Sequence, residues 1–428
     1  MKSSYPKHHA IPTGHILRCQ ICNSAKLHRI LDLGHQAPSD SLPTKEMLNE
    51  SEKTYPLRMM WCERCYGVQL DYCVDGKEVY HPDYPYRSGI TKPLAEYQRQ
   101  IALSLIQKYN LNSKDLVIDV GSNDGTLLSG FKSNGVQVLG VEPTNTADIA
   151  NENGIRTIKS FFDIKTAKSI KKKYGKAAVM TATNVFAHMQ TLGEVIMGIY
   201  ELLEDDGVFV SESHYLLDVI RDNQFDTIYH EHLRTYSLHS LIALFKQYDF
   251  TVIDVERGSR YGGNIRVHVG KGKGRPVSSE IKKLLTLEKK FGLDKLKTYT
   301  AFAARVKKAR LDLLGFLIEA KKKGKYMVGK SSPARAATLL NYYGIDSELL
   351  PYLAEQSTSL KLNMYVPGNH IPIVDEKILL KEQPDYIVLM AWHYAKEISK
   401  RLKREGIRAD FVAPLPTLKV IKNSEVEV

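Results

Sequence analysis

The sequence predicts an α/β chain in three parts: a small metal-binding module over residues 1–75, a central doubly wound domain over 76–272, and a C-terminal α/β unit over 273–428. Three observations carry this. Two Cys-x-x-Cys pairs stand near the N-terminus. At Leu116–Leu128 an apolar run enters a loop with two glycines and then an amphipathic helix. Near Lys325 a second apolar run leads into small residues and another helix.

The module at the start rests on its cysteines. Cys19 and Cys22 form one pair, Cys62 and Cys65 another, and Cys73 lies outside the pattern. Two thiolates three positions apart reach one metal from a tight turn, and two such turns supply the tetrahedral thiolate set that suits zinc. Disulfides are disfavoured in a reducing compartment. A site closed by four cysteines has no open position for substrate, so it is expected to fold the module and not to catalyse. Cys73 reads as a plain buried thiol.

The central domain rests on alternation. Leu116–Val120 is the first buried strand, and Gly121 and Gly125 let the following loop turn tightly and approach a ligand. About twenty residues on, Val136–Glu142 is a second strand ending in an acid suited to both hydroxyls of a ribose. The G-S-N-D-G loop lacks the full dinucleotide pattern, and it suits a nucleoside without a diphosphate, such as S-adenosylmethionine. Further strands are expected at 176–184, whose polar end is Asn184, at 207–212, at 250–256 and at 262–269. Helices alternate with them at 94–109, 126–133, 164–174, 192–203 and 237–248. That is the class I methyltransferase order, which places ligands at the carboxyl ends of the strands.

The most unusual stretch is Gln224–Leu233, with Tyr229, His230, Glu231 and His232 following a strand end. Three readings are open for it. One is a metal site, although the spacing is not the helical H-E-x-x-H. Another is a solvated loop. The third is an acid–base cluster, in which an adjacent carboxylate orients a histidine that titrates near neutrality. His188, past the end of another strand, is placed to line the same pocket, and Tyr84 and Tyr86 to cover it.

Composition sets the outer limits. The chain has 428 residues, 43% hydrophobic and 25% charged, as in an ordinary globular protein. No apolar window is long enough for a membrane span, the N-terminus lacks a secretory apolar region, and the chain is read as soluble and cytoplasmic. The net charge is +12, and Lys271–Lys325 alone holds 17 Lys and Arg against 5 Asp and Glu. The excess therefore sits in one stretch with helical apolar spacing, read as a solvated helix face. No nucleic-acid recognition signature is present, so nucleic acid is not expected as a partner.

The segments CxxC…CxxC, YPYRSG, DVGSNDGTLL, GVEP, NVFAH, FDTIYHEHLRTYSL and GGNIRV stand here in a fixed order. In that order the sequence resembles the sugar C-methyltransferases that act on nucleotide-linked 4-keto deoxysugars. The resemblance includes PARAATLLNYYGI…KLNMYVPGNHIPI…PDYIVLMAW near the C-terminus. It implies an S-adenosylmethionine-dependent enzyme that places a methyl branch on C3 of its sugar. It also implies a zinc-binding domain, a central cofactor domain and a C-terminal Rossmann-like domain. The cofactor loop then falls on Gly121, Asn123, Asp124 and Gly125, with Glu142 at the ribose. The family's Tyr-x-Glu-His falls on Tyr229, Glu231 and His232, its other pocket histidine on His188, and its lid tyrosine on Tyr84 or Tyr86.

From these assignments His232 is expected as base, Glu231 as its orienting or electrostatic partner, and Tyr229 and His188 as donors near the carbonyl. Arg335, at the start of the helix expected over 334–342, is expected to help hold the substrate's diphosphate. Two positions depart from the family pattern: Lys330 stands where a small residue is usual, and Glu355-Gln356 where an acidic pair is usual. Methyl transfer to oxygen or nitrogen of another small molecule is the alternative activity, and monomer and homodimer are both open.

Overall fold

The computed structural model describes residues 6, 9–79, 87–89 and 91–427. Tyr84 and Tyr86, the expected cover of the pocket, lie outside the described residues.

Leu116–Val120 is buried at every position, as a strand covered on both faces must be. It stands at the middle of a seven-stranded sheet. The spatial order is Phe250–Gly258, Asn264–Lys271, Leu203–His214, Ala177–Thr183, Leu116–Val120, Gln137–Glu142 and Thr157–Lys159. All run parallel except Asn264–Lys271, which is antiparallel to both neighbours. The order reverses direction beside Leu116–Val120, so the carboxyl ends of that strand and of Ala177–Thr183 open a crevice. A carboxyl sits inside this layer at the middle strand: Asp119, which accepts a 2.6 Å hydrogen bond from the Thr181 hydroxyl. Burial pushes its carboxyl up to about 7.

The cysteine module carries a four-stranded sheet in the order Arg234–Thr235, Val68–Leu70, Tyr55–Cys62 and Leu27–Gln36. Its outer strand therefore comes from the central part of the chain, directly after the histidine-rich segment. Both Cys-x-x-Cys turns end in a left-handed residue, Asn23 at φ 57° and Tyr66 at φ 55°. The four Sγ atoms lie within 4.8 Å of one another. Cys19 and Cys65 are 3.5 Å apart, and Cys22 and Cys62 3.6 Å. A tetrahedral zinc with Zn–S bonds of about 2.3 Å requires roughly 3.8 Å between sulfurs, so the set fits. The amides of Ile21 and Cys22 also point at the Cys19 sulfur. Cys73 stays outside the cluster, buried, and accepts from the Gln190 amide at 2.8 Å.

The Lys-rich stretch forms the helices Ser279–Phe291 and Leu296–Lys322. Tyr299, Phe302, Val306, Leu313 and Leu317 are buried on one face of the second. This apolar stripe, with lysines on the other face, is the amphipathic pattern expected of these residues.

Behind it lies a six-stranded sheet in the order Ile373–Asp375, Leu353–Glu355, Met327–Lys330, Tyr386–Leu389, Asp410–Ala413 and Lys419–Ile421. It is parallel but for the last strand, a second doubly wound unit. Lys330 is buried there, with its ammonium 3.1 Å from Glu376, 3.7 Å from Glu355 and 3.0 Å from the Ala354 carbonyl. The unusual lysine thus brings its own counter-charges.

Replacing Cys65 by Ser is expected to release zinc and lower the melting temperature, because the cluster staples the two turns that carry the module's sheet. Zinc per chain, read with a colorimetric chelator, together with a thermal scan checks this. A variant with full zinc content and an unchanged melting temperature would contradict it.

Candidate active site

One cavity of about 950 Å³ runs from the crevice of the central sheet to the edge of the C-terminal sheet. Gly121, Asn123, Glu142 and Asn184 line one end. His188, His214, Tyr229 and His232 line the middle, and Ser331–Arg335, Lys361 and His393 the far side.

The loop end is built by its backbone. Gly121 has φ +71°, and a Cβ there would stand 2.7 Å from Val185. Asn123 follows at φ 50°. Its amide donates to Glu142 at 3.0 Å, while the Thr144 amide and hydroxyl donate to the other Glu142 oxygen at 3.0 and 2.8 Å. A carboxylate offers about four acceptor positions, so Glu142 retains capacity toward the cavity. Asn184, at φ 56°, has a buried side-chain oxygen without a hydrogen-bond partner.

Asp124 and Gly125 do not line the cavity. The Asp124 carboxylate accepts from the Gly89 amide at 2.8 Å and the Thr126 hydroxyl at 2.6 Å. Gly125 at φ +79° packs where a Cβ would meet Ile155 at 2.9 Å. Both shape the loop from behind.

The histidine-rich segment is a buried turn, not a solvated loop. Asn223 through Arg234 are buried apart from Tyr229, which is partly exposed. The His232 amide donates to the Tyr229 carbonyl at 2.9 Å. The His232 ring packs on Tyr229 at 3.9 Å between centroids, and meets His188 at 4.8 Å and His214 at 5.2 Å.

His232 Nδ1 lies 2.7 Å from the Thr227 carbonyl. A carbonyl only accepts, so Nδ1 carries the proton and Nε2 is left as the acceptor of a neutral ring. Burial first, then His188 and His214, hold this imidazole well below its ordinary value. Burial likewise lowers His188 to about 4 and His214 to about 3. All three rings are neutral at pH 7.

Glu231 does not orient His232, which corrects the expected pairing. It does not line the cavity. It is buried, and neither carboxylate oxygen meets a partner at full hydrogen-bond geometry. Burial and then the charge of Asp40 push its carboxyl up to about 8. At neutral pH it is a protonated acid beside the turn. The orienting group is the Thr227 carbonyl. The metal reading of His230 and His232 also falls away, since no metal-type cluster among the described residues includes them.

Arg335 lines the cavity, but its charge is already met. Its guanidinium donates to Asp226 at 3.1 Å, to Gln224 at 3.3 Å and to His393 at 3.0 Å. The Trp392 indole donates to the same Asp226 carboxylate at 2.8 Å. Arg335 and Asp226 are both buried. The expectation that Arg335 takes a diphosphate therefore gives way to a positioning role.

His214, Asp226, Arg260 and His393 were not singled out in the sequence. His214 carried a usable signal, a polar residue at the carboxyl end of an apolar strand.

Residues 19–80 match a family model for a zinc binding domain, residues 94–255 one for a methyltransferase domain, and residues 259–416 one for a C-methyltransferase C-terminal domain. C-methyltransferase NovU of Streptomyces niveus is 30% identical over 408 residues, covering 94% of this chain and 96% of that protein. The chain belongs to the C-methyltransferase family. It is an S-adenosylmethionine-dependent C-methyltransferase with a zinc-binding N-terminal module, so the alternative of transfer to oxygen or nitrogen falls away.

Among solved structures, the N1-methyltransferase of 1,6-didemethyltoxoflavin from Burkholderia thailandensis, bound to S-adenosylhomocysteine, is 17% identical. It covers 41% of this chain and 78% of its own, with a TM-score of 0.32. The magnesium protoporphyrin IX methyltransferase of Synechocystis is 12% identical, covering 42% and 83%, with a TM-score of 0.33. No helix among the described residues of this C-methyltransferase is long and apolar enough to cross a membrane.

The residues at the loop end fit the cofactor. The open Gly121 turn, the Glu142 carboxylate at the strand end and the unpartnered Asn184 oxygen supply a close backbone approach and two acceptors.

Breaking the buried pair should be costly. Asp226→Asn leaves Arg335 charged and buried, and is expected to destabilise the fold by ~3–5 kcal/mol. The double replacement Asp226→Leu with Arg335→Met should cost clearly less than either single change. Denaturant unfolding of Asp226→Asn, the two single changes and the double replacement checks this, and additive losses would contradict it.

Proposed function

We propose that this C-methyltransferase acts at C3 of a 4-keto deoxysugar carried as its nucleoside diphosphate. The reading rests on one observation above all: a neutral imidazole, His232, lines the cavity with Nδ1 blocked by a carbonyl and Nε2 left to accept a proton.

A C3–H bond beside a C4 ketone is acidic because the anion delocalises onto oxygen. His232 Nε2 takes that proton, and the C–H electron pair becomes the enolate. Tyr229 and neutral His188 are the donors toward the enolate oxygen. Gly121, Asn123, Glu142 and Asn184 hold the cofactor beside them. When bound, S-adenosylmethionine would supply an electrophilic methyl for C3, with breakage of its C–S bond and neutral S-adenosylhomocysteine as the leaving group. The burial of His232 limits the access of water to the base. The protonated Glu231 supports the turn as a neutral group. The same reading divides the chain at about residues 75 and 272, with the first part given to zinc and the third closing over the substrate.

His232→Asn is expected to lower turnover by ~10²–10⁴-fold, the contribution of a positioned base, while S-adenosylhomocysteine binds as before. The same variant should fail to exchange C3 hydrogen for deuterium in the absence of cofactor, whereas the wild type exchanges it. Mass analysis of 4-keto sugar nucleotides incubated in D2O reads both. Exchange by the variant at the wild-type rate would sink the assignment of the base.

The pH dependence has a definite sign. A base works only when unprotonated, and His232 is held below 6.5. The acid limb of kcat/KM is therefore expected below pH 6.5, and a limb at or above that value would contradict it. Glu231→Gln preserves shape and neutrality, so turnover at pH 7 should persist. A loss of tenfold or more would show that an ionised carboxylate is required.

A further inference from the structure

We propose that Arg260 anchors the substrate's diphosphate. The inference rests on the nucleotide-linked substrate of the preceding section and adds the residue that recognises its charge.

Among the described residues, four cationic side chains line the cavity: Arg87, Arg260, Arg335 and Lys361. Two of them are neutralised within the protein. Arg335 is paired with Asp226, and Lys361 donates to Asp40 at 2.9 Å and to the Ser332 carbonyl at 3.1 Å. Neither Arg87 nor Arg260 has a carboxylate partner among the described residues. Their positions differ. Arg87 adjoins Ser88 and Gly89, whose amides donate to Asn123 and Asp124 at 2.8 Å each. It therefore stands at the cofactor loop, where a carboxylate of the cofactor is the anion at hand.

Arg260 stands where the central sheet meets the C-terminal unit. Its guanidinium lies against three rings, Tyr97 at 5.9 Å, Tyr261 at 5.5 Å and Tyr394 at 5.4 Å. These come from the helix Lys92–Tyr109, the turn Arg260–Gly262 and the turn Trp392–Tyr394. Tyr261 is held at φ 54°, a region a tyrosine seldom occupies and that persists where packing over-determines it.

Aromatic faces hold a guanidinium without consuming its in-plane N–H donors. The Arg260 Nε is buried and meets no hydrogen-bond partner. A planar fork of unused donors, fixed in orientation and lacking a counter-charge, matches two phosphate oxygens. The ligand class is a diphosphate ester whose sugar reaches toward His232.

The test is equilibrium binding of inorganic pyrophosphate and of thymidine diphosphate to the full-length enzyme saturated with S-adenosylhomocysteine. Arg260→Gln is expected to weaken both by about tenfold or more, while S-adenosylhomocysteine affinity stays within about twofold. Arg260→Lys, which keeps the charge, should recover part of the loss. Arg87→Gln should leave pyrophosphate binding unchanged and weaken S-adenosylhomocysteine.

Pyrophosphate binding by Arg260→Gln at wild-type strength overturns the anchor and leaves the sugar-nucleotide reading standing. So does a loss of S-adenosylhomocysteine affinity equal to the loss of pyrophosphate affinity, which marks a structural arginine. If the wild type binds neither pyrophosphate nor thymidine diphosphate, the sugar-nucleotide reading fails, and the anchor falls with it.

Discussion

The buried carboxylate of Asp226 is the constraint on which the active region depends. It lies in the central part of the chain, one residue before Thr227, and it is met by Arg335 and Trp392 from the C-terminal unit. A charge so far from water is tolerated only if its partners hold their places. The pair is therefore weak as a source of net stability and strong as a statement of geometry. It requires the C-terminal sheet to seat against the segment that carries the histidines. The cavity exists because these two doubly wound units meet there.

That seating sets the electrostatics. Three histidines face one another across a few ångströms, and none carries charge at pH 7, because burial penalises the imidazolium of each. Glu231 is driven the opposite way by the same burial. The usual order of the two groups is reversed: the carboxyl holds its proton and the imidazole has a lone pair to offer. Desolvation makes His232 a weaker base in absolute terms. It also ensures that every His232 is unprotonated at working pH, the condition a base needs.

Much of this was legible in the sequence, for identifiable reasons. Leu116–Val120 and Ala177–Thr183 are mostly apolar runs, broken only by Asp119 and by Thr181 and Thr183, and buried parallel strands look like that. The cysteine spacing is set by metal geometry, so it survives in any context. Thr157–Lys159, Leu353–Glu355 and Ile373–Asp375 are three residues each, too short to show a period. Asp410–Ala413 is not much longer. His214 escaped because the expected strand stopped at Glu212, whereas pairing with Asn264 carries it two residues further.

The Glu231–His232 pairing failed for a different reason. Neighbours in sequence on a tight turn need not share a face, and the group that does bond His232 is a main-chain carbonyl five residues back, which no residue type announces. Arg335 read as a free cation because its counter-charge lies 109 positions away.

The zinc module takes part in this arrangement without touching the chemistry. The strand Arg234–Thr235 pairs with Val68–Leu70, and the Leu70 amide donates to the Leu233 carbonyl at 3.0 Å. Arg234 is buried and donates at 2.9 Å to the carbonyl of Met189, next to His188. The segment from Asp226 to Thr235 is thus fixed at both ends, by the C-terminal unit at its start and by the cysteine module at its finish. Between those anchors only a few residues are left to place Tyr229 and His232. A base that must lie within hydrogen-bond reach of a carbon acid tolerates little play. A closed metal site with no open position serves that need: it adds rigidity beside the cavity without adding a second electrophile to it.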